Sequence, residues 1–240
     1  PRSGTHSMAY VLSGSCRSAH EARVQSSLYM IMQWMDNAIS DQSMIEFISY
    51  RDRCLKLDFE ASHFLHQVAH LTVDLFPSSK YIFTVRDPYS WLESSINQSI
   101  KSQDVSYWRA YEDAIYGPST NFHFPVLDEY GAYPVRNYLS YWCRHIDKVM
   151  THVPTERLLV VNTFNIDGQL EEISKFSGVC YEDLDIKRRH SGQRDKVNYP
   201  TISIKSDLDV HWISKQIQDV LSRELEFDNI LRRHDLLNYP

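Results

Sequence analysis

The run Tyr81-Ile82-Phe83-Thr84-Val85 is β-branched and aromatic on both faces, and it stops abruptly at Arg86-Asp87-Pro88. A strand without a polar face must be covered on both sides, which is the situation of a parallel sheet flanked by helices. Arg157–Asn162 (RLLVVN) is a second such run, and Cys54–Phe59 alternates apolar and polar residues as a short strand does. Strands of this kind, separated by stretches of helical period, predict an α/β fold: three layers, with a mostly parallel central sheet between helices. In such sheets ligands sit at the carboxyl ends of the strands, so residues just after each strand are the first to inspect.

Helical stretches are expected at about Met8–Leu12, Tyr29–Ile39, from near Tyr89, Tyr138–Val149, and Gln169–Phe176. In the last of these Asp167 is the expected cap and Gly178 the stop. Phe64–Leu75 carries Phe64, Leu65, Val68, Leu71 and Leu75 at three- and four-residue spacing, a helix face. Val210–Leu231 reads as a C-terminal amphipathic helix. Tyr107–Tyr138, interrupted by Gly117-Pro118, Pro125, Gly131 and Pro134, reads as a long irregular insertion or lid. No repeat or Pro/Gly-rich linker divides the chain, so residues 1–240 are expected to form one domain.

The 25 Lys+Arg against 31 Asp+Glu give a net charge of −6, which argues against a nucleic-acid-coating surface. The longest apolar runs, such as Leu158–Val161, are too short to span a bilayer. Cys16, Cys54, Cys143 and Cys180 are widely spaced, lack any CxxC pairing and read as buried thiols of a reducing compartment. His20-Glu21 has no second His four residues on, so no metal motif is present.

Two constellations carry chemistry. Pro1-Arg2-Ser3-Gly4-Thr5-His6-Ser7 opens a helix with a glycine among hydroxyl residues, a donor set suited to a phosphate or sulfate; it lacks the Lys-Ser/Thr ending of a nucleotide-triphosphatase loop. The plain alternative for this segment is a frayed terminus. Arg86 follows a strand, and Ser94 lies eight residues on in the next helix, so a guanidinium fork and a hydroxyl can grip one phosphate. The alternative there is an Arg86 that merely pairs Asp87 or another carboxylate.

Together these segments resemble the sulfotransferases that use 3′-phosphoadenosine 5′-phosphosulfate (PAPS). Pro1–Ser7 resembles that family's 5′-phosphosulfate loop, and Arg86 with Ser94 its 3′-phosphate clamp. Arg157–Asn162 with Gln169–Val179 (QLEEISKFSGV) resembles its late strand and helix. The resemblance spans most of residues 1–180 and implies a P-loop NTPase-like sheet. It also implies PAPS as donor, 3′-phosphoadenosine 5′-phosphate (PAP) as product, and no metal. Arg2 stands where many cytosolic members have Lys, and His6 where Thr is common. The family's first strand precedes the loop, so a strand upstream of Pro1 is expected.

The resemblance assigns Arg2, Ser3, Gly4, Thr5, His6 and Ser7 to the phosphosulfate, with Arg2 also balancing the leaving phosphate. A general base must accept the acceptor's proton. Glu21 is the first choice, placed where tyrosylprotein and trehalose sulfotransferases put a catalytic Glu; His20 acts instead or orients it. Glu60 and His63 are further choices, Lys56 a supporting cation, and His63, facing a helix, also reads as structural. Arg194 and Lys196 match loosely the basic loop that closes over the nucleotide. The aromatic residues of the insertion, among them Tyr111, Tyr116, Phe122 and Tyr133, either wall the acceptor or pack a core. The implied acceptor is a hydroxyl or amine of a small molecule or carbohydrate, with no nucleic-acid partner and no membrane span. The expected compartment is the cytoplasm, or the Golgi lumen if an N-terminal anchor precedes this chain. A P-loop-type phosphotransferase and a catalytically degenerate nucleotide-binding module are the rival readings; the first calls for a Walker lysine that the loop lacks. The negative charge is reconciled with an anionic donor by position, with Arg2, Lys56, Arg86 and Arg194 or Lys196 gathered at one crevice.

Overall fold

The computed structural model describes residues 4–117, 123–188 and 200–223. Within them one compact unit takes 4–85 and 148–188, and a second takes 86–117, 123–147 and 200–223.

In the first unit Thr5–Val11 (α1) leads to Ser18–His20 (β1), Val24–Met35 (α2) and Asp41–Leu55 (α3). Phe59–Ala61 (β2) follows, then a 3-10 turn at Phe64–Val68 continued by Ala69–Leu75 (α4), and Tyr81–Val85 (β3). β1 and β2 pair in parallel with His20 opposite Ala61. Leu158–Asn162 (β4) pairs in parallel with β3, Val85 opposite Asn162, and the Thr163 hydroxyl donates to the Val85 carbonyl at 2.7 Å. Mixed α/β structure with parallel strands is therefore what forms, in two two-stranded sheets among the described residues. One core joins them: Met8, Val11 and Leu12 of the α1 segment pack with Leu159 and Val161 of β4 and with Leu170 and Ile173 of Leu170–Ser177 (α9), flanked by Phe59 and Ile82. Each such fully buried aliphatic side chain is worth roughly 1.5–3 kcal/mol, which is why so short a helix as α1 holds its place.

Several expectations shift. Cys54–Phe59 is not a strand, because Cys54 and Leu55 complete α3 and Lys56 ends it in the left-handed conformation, φ 49°. The backbone turns extended only at Phe59, where β1 supplies a partner. The second expected helix stops at Met35 rather than Ile39, and α3 was not anticipated at all. Asp167–Gln169 forms a 3-10 turn, so Gln169 rather than Asp167 precedes α9, while Gly178 ends it as expected at φ 84°. Cys54 and Cys180 are exposed, contrary to the buried thiols expected, and no disulfide joins any of the four cysteines.

The second unit opens on Pro88–Ser102 (α5), capped by the Asp87 carboxylate, which accepts from the Ser90 amide at 2.9 Å. The supposed irregular insertion is largely helical: Ser106–Tyr116 (α6) and Pro125–Glu129 (α7) precede Val135–His152 (α8). Gly117 and Pro125 bound these helices instead of breaking them. Tyr111, Tyr116 and Tyr133 are 0%, 6% and 4% exposed, so they fill a core and do not line an open acceptor wall. Phe122 lies outside the described residues. Ile204–Asp207 (α10) and Val210–Arg223 (α11) complete the unit. The Asn97 amide pins this segment to α5, donating to the Ile202 carbonyl and accepting from its N–H. The expected extension of α11 to Leu231 lies outside the described residues. Among the described residues no helix is long and apolar enough to cross a membrane.

Candidate active site

Parallel pairing brings the candidate bases together. Because His20 sits opposite Ala61, the residues after β1 and β2 leave the sheet side by side, and the Glu21 amide extends the ladder to the Ala61 carbonyl at 2.9 Å. Glu21 Oε1 is 2.7 Å from His63 Nδ1 and 3.6 Å from His20 Nε2. Burial works to raise the Glu21 pKa, but the hydrogen bond from His63 and the nearby imidazoles outweigh it, leaving the pKa below the ordinary glutamate value. Burial lowers the His63 pKa to about 4 against the pull of Glu21, so the ring is neutral near pH 7. An ionised carboxylate only accepts, so Nδ1 of His63 carries the proton it donates to Glu21. His66 Nδ1 lies 2.5 Å from the His63 carbonyl and fixes the backbone beneath it.

The start of α1 lies against the same place. Thr5 Oγ1 is 3.2 Å from His20 Nε2, and the His6 ring meets the His20 ring edge-on at 4.7 Å. His6 Nδ1 is buried with no hydrogen-bond partner among the described residues. Gly4 has φ +85°, and a Cβ there would stand 3.1 Å from Thr163 Cγ2. The positive φ favours glycine here, and a Cβ would press on the Thr163 side-chain methyl, which would have to yield by a few tenths of an ångström. Ser7 is half-buried in the same helix. Arg2 and Ser3 lie outside the described residues, as do Arg194 and Lys196.

In the second unit Arg86 Nε donates to Ser90 Oγ at 2.9 Å, and Ser90 in turn bonds the Asp87 carboxylate. Asp87 is thus engaged in capping α5. Ser94 follows Ser90 by one helical turn on the same face, so hydroxyls and guanidinium line one edge of α5.

Glu60 is occupied elsewhere. Both its oxygens bond Arg51, Oε2 at 2.5 Å from Nη1 and Oε1 against Nη2, so it is not placed to act as a base. Lys56 is exposed at the end of α3. Arg51 also donates from Nε to Ser27 Oγ at 3.1 Å and from Nη2 to the Ala22 carbonyl at 2.6 Å. That carbonyl belongs to a turn in which Glu21 and Arg23 both have φ 51°. Left-handed backbone at a non-glycine residue costs on the order of 1–2 kcal/mol, so this turn persists because its surroundings hold it. Arg51 was missed in the sequence, although a signal exists: Met44, Ile48 and Arg51 are the buried residues of α3, a charge in an apolar register.

A family model described as a sulfotransferase domain matches residues 1–179. The chain is also similar to Ava biosynthesis cluster protein M of Aspergillus versicolor, 34% identical over 97 residues; that alignment covers 35% of this chain and 36% of the relative. The chain thus spans about a third of that relative's length.

Proposed function

The chain belongs to the sulfotransferase-domain family, and from that premise we propose that it moves a sulfuryl group from PAPS to a hydroxyl or amine, releasing PAP. The observation that carries this reading is the pair of half-buried Glu21 and buried His63 at the ends of two parallel strands, beside the start of α1. The donor set suits an anionic phosphosulfate: a glycine at Gly4, hydroxyls at Thr5 and Ser7, and a buried ring nitrogen of His6 with no protein partner among the described residues. The same reading carries a three-layer, P-loop-like arrangement across one domain. A small-molecule or carbohydrate acceptor is proposed with it, and a relative named for a biosynthesis cluster is compatible with that class.

PAPS, when bound, supplies the sulfuryl group and a phosphate leaving group. Gly4, Thr5, His6 and Ser7, with Arg2 and Ser3, would hold its 5′ end, and Arg86 with Ser94 its 3′-phosphate. Arg194 and Lys196 are proposed to cover the nucleotide. Glu21, ionised near neutrality, accepts the proton that the acceptor oxygen or nitrogen sheds as its bond to sulfur forms. His63 keeps the carboxylate aimed by donating from Nδ1, and its low basicity stops it from taking that proton itself. His20, between Thr5 and Glu21, links the donor loop to the base.

PAP release from PAPS, measured over simple phenols, alcohols and amines, tests this. Glu21→Gln is expected to lower turnover at least ~100-fold, the usual weight of a general base, while the dissociation constant for PAP stays within about twofold. Wild-type turnover in that variant removes Glu21 from the role. A thermal shift with ATP and none with PAP overturns the donor.

A further inference from the structure

Arg51 is a charged side chain 7% exposed, far more deeply placed than an arginine needs to be for an ordinary surface pair. Four of its donor contacts converge on three different segments: the Ser27 hydroxyl of α2, the Glu60 carboxylate of β2, and the Ala22 carbonyl of the turn between β1 and α2. Glu60 neutralises the guanidinium and fixes its plane, because a bidentate carboxylate leaves a fork no freedom to rotate. Ser27 fixes the third side. Of the two N–H groups that remain, the one on Nη2 donates to the Ala22 carbonyl. Flanking Ala22 are the two left-handed residues Glu21 and Arg23, so the carbonyl that Arg51 holds is the centre of the turn that presents the Glu21 carboxylate.

We propose that Arg51 is a positioning residue for the transfer reaction: anchored by Glu60 and Ser27, it holds the Ala22 carbonyl and so keeps the Glu21–Arg23 turn, and with it the Glu21 carboxylate, in place. This rests on reading Glu21 as the base. A lysine here keeps the charge beside Glu60 but has no planar fork, so it cannot satisfy Glu60 and Ala22 together in the same geometry.

Arg51→Lys in the full chain, alone and combined with Glu21→Gln, is the test, read by PAP release and by amide hydrogen exchange. Expected results are a fall in kcat of about tenfold or more with KM for PAPS within twofold, and no further fall when Arg51→Lys is added to Glu21→Gln. Exchange of the Glu21 amide should quicken at least tenfold while α9 is unchanged. Equal losses in both backgrounds, unchanged exchange at Glu21, or exchange quickened throughout the unit would each overturn the proposal. If Arg51→Lys does not fold, Ser27→Ala takes its place in the same cycle, with a smaller, equally non-additive loss expected and an additive one overturning it. Wild-type kcat in Glu21→Gln alone would instead refute the base assignment on which the proposal stands, and the proposal with it.

Discussion

At the scale of single residues, the Glu21–His63 contact sets which group is charged at working pH. Burial pushes the Glu21 carboxyl up, and the Nδ1–H of His63 is the largest influence bringing it back down. Removing that donor while keeping the ring volume leaves the burial uncompensated. His63→Phe should therefore raise the Glu21 pKa and move the acid limb of the kcat–pH profile to higher pH, where wild type is still fully active. An unmoved limb would mean that His63 does not govern Glu21. Glu21, His20, Glu60 and His63 were all legible as candidates, because each carries a proton-accepting group near a strand. The family resemblance puts Glu21 first among them, but nothing local in the chain checks that order. Glu60 is excluded by Arg51, nine residues away in sequence and on another element, and no local pattern reports that pairing.

At the scale of elements, two glycines share a backbone conformation and differ in surroundings. Gly4 precedes α1 at φ +85° with Thr163 3.1 Å from a would-be Cβ, whereas Gly178 ends α9 at φ +84° with open space around it. Gly178→Ala should cost about 1 kcal/mol in stability through conformation alone and leave PAP affinity unchanged. Gly4→Ala adds a tight contact with the Thr163 side-chain methyl, so it should lower stability further and weaken PAP binding several-fold. Calorimetry and PAP titration of the two variants check this, and equal effects would deny Gly4 its place in the donor loop. Tyr81–Val85 and the stop at Gly178 were read correctly because a doubly apolar run and a helix-ending glycine are local signals. The strand at Cys54–Phe59 was misread because alternation over six residues also occurs where a helix end passes into an extended segment. Only pairing with Ser18–His20 fixes where extension starts.

For the whole molecule, the pH dependence of stability has a marked contributor in the second unit. Burial raises the Glu112 pKa to about 7, with the Ser102 hydroxyl 3.3 Å from its carboxyl oxygen. A carboxyl held protonated in the fold but ionised in the unfolded chain contributes fully below about pH 4.5, and that contribution is lost as pH rises to about 7. Glu112→Gln should therefore stabilise the protein relative to wild type at pH 8, by up to about 3 kcal/mol, with the advantage shrinking toward pH 4.5. Denaturation midpoints at the two pH values measure it, and a constant difference would rule Glu112 out as the source. By itself the sequence determined the α/β class, the parallel character of its strands, the sulfotransferase resemblance and the shortlist of ionisable residues, because these are written in short-range period and motif. Only the tertiary structure decided that Glu21 meets His63, that Glu60 is bound to Arg51, and that Tyr111, Tyr116 and Tyr133 of the supposed lid are core. Each of those outcomes depends on which distant segments share an interior, where the cost of burying a charge or a hydroxyl is set by its neighbours in space and not by those in the chain.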